Sequence, residues 1–251
     1  MLKAQLRSKI SALGSDWQDI EDILTGDFFG ALDYLPREPY LGSFLSWVMS
    51  LNPDASQPST VAVDWDAVEF IFWPLITGQD ESAEPDLVIV ADQWVLVIEV
   101  KLDSGLGTNQ PWREYCVGRE IARDRGISDD AVYYLLVSRH RLDVRATFAN
   151  SEKGQQDQLL PRTSHLLWHQ AVAQVERWLK DGPAGETVTL SEKRLLLDLL
   201  GVNSSPQQGN WSMQLWIAGR HRVRPRRGGG AEASRIPSPT VRPSSGTGDC
   251  G

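Results

Sequence analysis

The 251-residue sequence predicts an α/β domain with a mixed central sheet of four strands flanked by helices. Two kinds of segment predict this class. Short apolar runs rich in β-branched and aromatic residues are typical of buried strands, and stretches with apolar residues at helical spacing lie before, between and after them. The predicted order is α, α, β, β, β, α, β, α, α. Because strands and helices are interspersed, we expect them to share one core.

Two helices are predicted before the first strand. Ser15 and Gln18 have the spacing of a capping box, and apolar residues recur after them at helical spacing, with Gly26 as a break. The stretch "YLGSFLSWVMSL" (40–51) predicts a second helix, which Asn52-Pro53 ends.

Four apolar runs predict the strands. "AVEFIFWPLI" (67–76) is dominated by β-branched and aromatic residues, and "EPDLVIVADQWVLVIEVKL" supplies two strands at about 86–91 and 94–102. "AVYYLLVSR" (131–139) is a short apolar run of the kind buried in a sheet.

The remaining segments predict helices. Asn109-Gln110-Pro111 marks a helix start, because proline is tolerated in the first turn. "LLWHQAVAQVERWL" (166–179) is amphipathic. "SEKRLLLDLLG" (191–201) begins with Ser191 as a predicted cap and stops at Gly201.

Composition separates a body, residues 1–218, from a basic tail, residues 219–251, that is rich in Arg, Gly, Pro and Ser. The tail lacks the large apolar residues that offset the entropy of ordering, so we predict that it is disordered. It carries seven arginines and two acids, so the net charge of −8 leaves the body at −13. An acidic body argues against broad electrostatic binding of nucleic acid, but it allows a local positive groove or a metal-assisted site.

The composition also predicts location. No apolar run approaches the roughly 20 residues of a membrane span, and the N-terminal stretch lacks the apolar region of a secretory signal. The two cysteines are too few for a disulfide framework or a zinc site. We therefore expect a cytoplasmic protein that does not bind membranes. The sequence indicates no oligomeric state.

Three charged residues interrupt the apolar runs of the 84–102 stretch. Side chains alternate along a strand, so Glu99 and Lys101 share a face. If Asp92-Gln93 forms a two-residue hairpin tip, Asp86 falls directly opposite Glu99 on that face; a slip of one residue would send Asp86 to the other face. Two such carboxylates repel each other, and burying them costs several kcal/mol unless they are paired or bind a cation.

A divalent cation fits this pattern. Mg²⁺ takes carboxylate oxygens, so Asp86 and Glu99 could share one ion that gathers a phosphate and activates a bound water. Lys101 could orient that water or stabilise charge that develops on the phosphate. An inward-pointing ion pair with no metal explains the same three charges and stays open at this point.

The motif "PD" at Pro85-Asp86 followed by "EVK" at 99–101 resembles the PD-(D/E)xK nuclease superfamily, which has the restriction-endonuclease-like fold. Members often continue with a Gln and a Tyr in the next helix, which Gln110 and Tyr115 match, and many carry a metal-reaching Glu on the first helix, which Glu21 matches. The resemblance covers roughly residues 15–140.

The resemblance implies a Mg²⁺-dependent hydrolase, with Mn²⁺ as a possible substitute, that cuts phosphodiester bonds of nucleic acid, with DNA as the expected substrate. It implies Asp86, Glu99, Lys101 and Gln110 as catalytic residues, and Asp86, Glu99 and Glu21 as metal ligands. Two alternatives remain: a nuclease-fold protein that binds nucleic acid or regulates without cutting, and a structural protein whose acids form an ion-pair network.

Other groups suggest further contacts. His165 and His169 are four apart, a spacing that binds metal on a helix, although the glutamate of a metalloprotease motif is absent between them. The helix after Lys101 carries three arginines that are candidates for phosphate contacts or for a solvated helix face: Arg113, Arg119 and Arg123. Trp112 on the same helix is a candidate for base stacking or for the core.

Overall fold

The computed structural model describes residues 17–77, 82–102, 105–107, 109–148 and 153–200. Three predicted features lie outside these residues and stay predictions: the cap at Ser15, the helix stop at Gly201, and the tail 219–251 with its boundary at residue 218. None of the helices within the described ranges combines the length and the apolar character needed to cross a membrane.

The helices and strands alternate along the chain much as predicted. The helices are α1 (Trp17–Tyr34), α2 (Ser43–Leu51), α3 (Gln110–Asp124), α4 (Val144–Thr147), α5 (Lys153–Leu159), α6 (Trp168–Asp181) and α7 (Leu190–Leu199). The strands are β1 (Glu69–Phe72), β2 (Ile76–Thr77), β3 (Ser82–Ala83), β4 (Leu87–Val90), β5 (Val95–Lys101), β6 (Val132–Ser138) and β7 (Thr163–Leu167). A π-helical turn at Glu38–Gly42 leads directly into α2.

The central sheet is mixed and has five strands in the order β1-β4-β5-β6-β7. Neighbours are antiparallel from β1 to β5 and parallel from β5 to β7. Strands β2 and β3 form a separate two-stranded ribbon. The predicted α/β class and the mixed sheet flanked by helices are confirmed, but the predicted number of strands was one too few.

The missed strand is β7. Its last residue, Leu167, is also the N-cap of α6, so strand and helix join without a loop. The sequence predicted helix from residue 166, whereas α6 begins at Trp168. No turn residue separates the two elements, so periodicity alone could not place the boundary.

Three smaller predictions are also corrected. Helix α1 runs through Gly26 without a break. Strand β1 is shorter than predicted, because Trp73 takes a positive φ of 48° and Pro74 has no backbone N–H to donate. Helix α7 is capped by Thr189 rather than Ser191: the Glu192 N–H donates to Thr189 Oγ1 at 3.3 Å, and the Thr189 N–H donates to Glu192 Oε2 at 2.7 Å.

The sheet is covered on both faces. One face packs against α1, α2, α6 and α7 around a cluster of buried aromatic rings, in which Phe28 meets Trp168 edge-on with ring centroids 5.6 Å apart. The other face packs against α3. A Cβ at Gly118 would collide with the side chain of Val97 and lie 3.0 Å from Val132, so this glycine lets α3 lie close to the sheet.

The β7 edge of the sheet is closed by a side chain. Asn52, the C-cap of α2, accepts a hydrogen bond from the His165 N–H through Oδ1 at 3.0 Å and donates to the His165 carbonyl through Nδ2 at 3.2 Å. Both outward-facing polar groups of His165 are therefore satisfied by one amide.

Candidate active site

The β4–β5 hairpin has the register that the sequence predicted. Leu87 pairs with Ile98 and Val90 with Val95, and the Ala91 N–H donates to the Trp94 carbonyl at 2.9 Å. Residues 92 and 93 are therefore the tip. Asp86, directly before β4, falls opposite Glu99, so the two acids meet on the face that packs against α3.

Asp86 is held by the backbone of the facing strand. Its Oδ2 accepts a hydrogen bond from the Val100 N–H at 2.7 Å, and the residue is 9% exposed. Burial and the nearby Glu99 carboxyl raise the pKa of Asp86 well above its ordinary range, against the opposing effects of the Val100 amide and Lys101. The position favours a neutral carboxyl unless a cation compensates.

Glu99 has partners from two elements and is 3% exposed. Its Oε1 accepts from Lys101 Nζ at 2.6 Å and from Gln110 Nε2 at 2.7 Å. Burial and the nearby Glu114 raise the pKa of Glu99 to about 8, even though Lys101 lowers it. The lysine therefore does not fully offset the cost of ionising this group.

Lys101 lies between acids from two elements. Its Nζ is 2.6 Å from Glu99 Oε1 on β5 and 3.9 Å from Glu21 Oε2 on α1. Burial by itself would lower the pKa of Lys101, but Glu99, Glu21 and Asp86 outweigh burial and hold it above its ordinary value. Lys101 therefore remains an ammonium at neutral pH.

Glu21 points inward. It is buried, and its Oε1 accepts a hydrogen bond from the Leu102 N–H at 2.7 Å, which ties α1 to the end of β5. Its neighbour Asp22 is also buried and contributes to the raised pKa of Asp86. The sequence did not single out Asp22, because one acid on an amphipathic helix usually lies at the surface.

Gln110 bridges the strand to α3. It is the first helical residue, after Asn109 in a left-handed conformation with φ 56°. Its Nε2 donates to Glu99 Oε1 and to Glu114 Oε1, both at 2.7 Å, and its Oε1 accepts from the Gly107 N–H at 2.8 Å. The amide is therefore fixed in one orientation and fixes the Glu99 carboxyl in turn.

Glu114, which was not among the predicted site residues, extends this network. It is 2% exposed, and its Oε2 accepts from the Tyr134 hydroxyl at 2.6 Å. Burial raises the pKa of Glu114 to about 7, although Tyr134 and Gln110 lower it. The available signal was its position four residues after Gln110, on the same helix face.

Ser138 and His165 lie on the same sheet face, beyond Lys101. Ser138 on β6 pairs with Lys101. Its Oγ donates to the His140 carbonyl at 2.6 Å, so the 2.7 Å contact with His165 Nε2 has the ring as donor. Burial and the nearby Arg141 lower the pKa of His165, which keeps the ring neutral.

Because His165 lies on β7 and His169 on α6, the two histidines do not form the helical pair considered above.

Two of the three arginines predicted as phosphate contacts of α3, and the predicted base-stacking Trp112, are engaged within the fold. Arg119 and Arg123 both bind Asp129, at 2.6 and 2.7 Å, in the turn that precedes β6. Trp112 is buried, with its ring centroid 5.8 Å from that of Tyr115, and belongs to the core. These residues anchor α3 to the sheet.

The donor set suits a hard divalent cation. Within the described ranges, the N–H donors that bind these two acids reach Oδ2 of Asp86 and Oε1 of Glu99. No group of three or more His, Cys, Asp or Glu side chains in that part of the chain is arranged to hold a metal ion. Two carboxylates still match the usual binding of Mg²⁺, which keeps several waters and takes further oxygens from substrate phosphates.

Fold and site together define an α/β protein with buried carboxylates and a lysine at one end of a mixed sheet. Compared with protein-family models, curated proteins and solved structures, the chain gives no significant match to any of them.

Proposed function

We propose that this protein is a Mg²⁺-dependent nuclease, with Mn²⁺ as a substitute, that hydrolyses phosphodiester bonds of nucleic acid, DNA in the first place. In this proposal the sheet is a restriction-endonuclease-like one. The observation that carries the proposal is the meeting of Asp86, Glu99 and Lys101 on one sheet face, with Gln110 bound to Glu99.

Both carboxyls can ionise at neutral pH only beside more positive charge than Lys101 supplies. Lys101 contacts Glu99 closely, yet the pKa values of both Glu99 and Asp86 stay raised. In an ion-pair network that neutralised its acids, the lysine would bring these values down. A divalent ion between the two carboxylates would supply the missing positive charge.

Each residue then has a role that its contacts support. Asp86 and Glu99 would hold the ion, and Glu21 lies beside Lys101 as a candidate ligand through a water. Bound Mg²⁺ would supply an activated water and neutralise phosphate charge. The Lys101 ammonium stabilises the negative charge that develops on the phosphate as the water oxygen attacks phosphorus and the sugar oxygen leaves. Gln110 positions the Glu99 carboxylate.

The test is a cleavage panel of single-stranded, duplex and branched nucleic acids with Mg²⁺ or Mn²⁺. Asp86→Asn should abolish cleavage and leave the fold intact, because asparagine can still accept the Val100 N–H. The matched control is Asp92→Asn at the exposed hairpin tip, which should cut as the wild type does.

Metal binding by calorimetry separates the alternatives. Binding that needs Asp86, without turnover on any substrate, indicates a nuclease-fold protein that regulates or binds without cutting. If neither Mg²⁺ nor Mn²⁺ binds and neither shifts the melting temperature, the metal site is refuted and the acids form an ion-pair network.

A further inference from the structure

The turn that follows β6 begins beside the proposed catalytic lysine. Ser138 pairs with Lys101 across two parallel strands, and the Arg139 N–H donates to the Lys101 carbonyl at 3.0 Å. Adjacent strands lie about 5 Å apart, so residues 139–145 emerge next to Lys101 at the same end of the sheet.

This turn is basic on an acidic protein. Residues 139–145 contain three arginines and a histidine against a single acid, Asp143, whereas the whole chain has a net charge of −8. The Asp143 carboxylate accepts hydrogen bonds from the backbone N–H groups of Arg145 and Ala146, at 3.0 and 3.1 Å, as the N-cap of α4. The local charge is therefore opposite to that of the body.

Two of these arginines differ from most others in the described part of the chain. Five other arginines form ion pairs with acids: Arg37 with Asp33, Arg119 and Arg123 with Asp129, Arg125 with Glu69, and Arg162 with Asp130. Arg141 and Arg145 are exposed, and among the described residues neither makes an ion pair. Guanidinium groups left in water beside an active site are suited to phosphate.

The position of Arg141 extends the positive charge sideways across the sheet. Its charge acts on His165 of β7, whose ring donates to Ser138 Oγ. Arg141 follows the last residue of β6 by three positions, at the end of the sheet where Ser138 pairs with Lys101.

We propose that the turn 139–145, through Arg141 and Arg145, binds the phosphodiester backbone of the nucleic-acid substrate next to the phosphate that is cut. This proposal rests on the proposed function. Contacts to the backbone position a strand without reading its sequence, so the turn contributes affinity and register rather than base specificity. It also explains how an acidic body can hold nucleic acid at its metal site.

The test is binding of a fluorescein-labelled duplex, and of one single strand, measured by anisotropy in Ca²⁺ over a range of salt concentrations. The double variant Arg141→Gln/Arg145→Gln should reduce the slope of log affinity against log salt by about 2, since each lost phosphate contact releases about one fewer counterion. The loss of affinity should be about tenfold larger at low than at moderate salt and equal for unrelated sequences. The double Lys variant should keep most of the slope.

Arg125→Gln is the matched control. Arg125 is an exposed arginine at the opposite end of α3 from Gln110. Its replacement should change neither the salt slope nor the affinity. An unchanged salt slope in the double Gln variant refutes the turn as a phosphate site. The same conclusion follows if the wild type binds neither the duplex nor the single strand.

Cleavage by the wild type is scored separately. Cutting with an unchanged salt slope in the variant leaves the nuclease proposal standing and removes the turn. Salt-dependent binding through Arg141 and Arg145 without cutting supports the turn as a phosphate site and refutes the nuclease proposal.

Discussion

The buried carboxyl of Glu99 makes the stability of the metal-free protein fall as the pH rises. Burial, with Glu114 nearby, raises its pKa from 4.5 to about 8. The unfolded chain releases this proton near the ordinary value, whereas the folded protein keeps it until about pH 8. The folded state thus holds more protons over this interval, so the free energy of unfolding decreases with pH.

The contribution of Glu99 to stability is fully present below its pKa in the unfolded chain. It is lost as the pH rises through its pKa in the folded protein. The rise in the pKa of Glu99 from 4.5 to about 8 corresponds to about 5 kcal/mol in the free energy of unfolding, or roughly 10–20 °C in melting temperature for a domain of this size. Glu114, whose pKa is raised to about 7, and Asp86 act in the same direction.

The perturbation is Glu99→Gln, which removes the titrating group but keeps an oxygen that can accept from Lys101 and Gln110. Urea unfolding in EDTA from about pH 5 to about pH 9 should show a clearly flatter decline for the variant than for the wild type. Added Mg²⁺ should restore wild-type stability most at high pH, because the ion binds the ionised carboxylate. A wild-type stability that is constant or rises over this interval, or a variant that declines as steeply, refutes the reasoning.

Three further substitutions probe the site and its support. Lys101→Ala should lower cleavage by at least about 100-fold while circular dichroism stays native, because it removes charge stabilisation at the phosphate; activity within a few fold of wild type contradicts this role. Gln110→Leu should weaken Mn²⁺ binding by about 10–100-fold in calorimetry, since Glu99 loses the donor that orients it; unchanged affinity makes Gln110 merely structural. Gly118→Val should cost about 1–3 kcal/mol in urea unfolding, because its side chain collides with the sheet, and an unchanged midpoint would argue against that packing.

The charged hairpin could be predicted because its signals are local. Alternation fixed which side chains share a face, and a two-residue tip fixed the register that brings Asp86 opposite Glu99.

The rest depends on partners distant in sequence. Glu114 lies four residues after Gln110, but its second partner, the Tyr134 hydroxyl, is twenty residues further on, in a strand that packs against α3. Asp129 removes Arg119 and Arg123 from the set of phosphate contacts only because the chain turns back after α3. Strand β7 was missed because five residues that run directly into a helix carry no periodicity of their own.

The side-chain amide of Asn52 has a consequence for how copies of this chain behave at high concentration. The peptide groups of an edge strand can normally form hydrogen bonds with an extended segment of another chain, including the same strand of a second copy. At His165 the donor and the acceptor that such a segment would need are already taken by one residue of the same chain. Asn52 thereby acts against edge-to-edge aggregation, at a position far from the hairpin and without adding a charge.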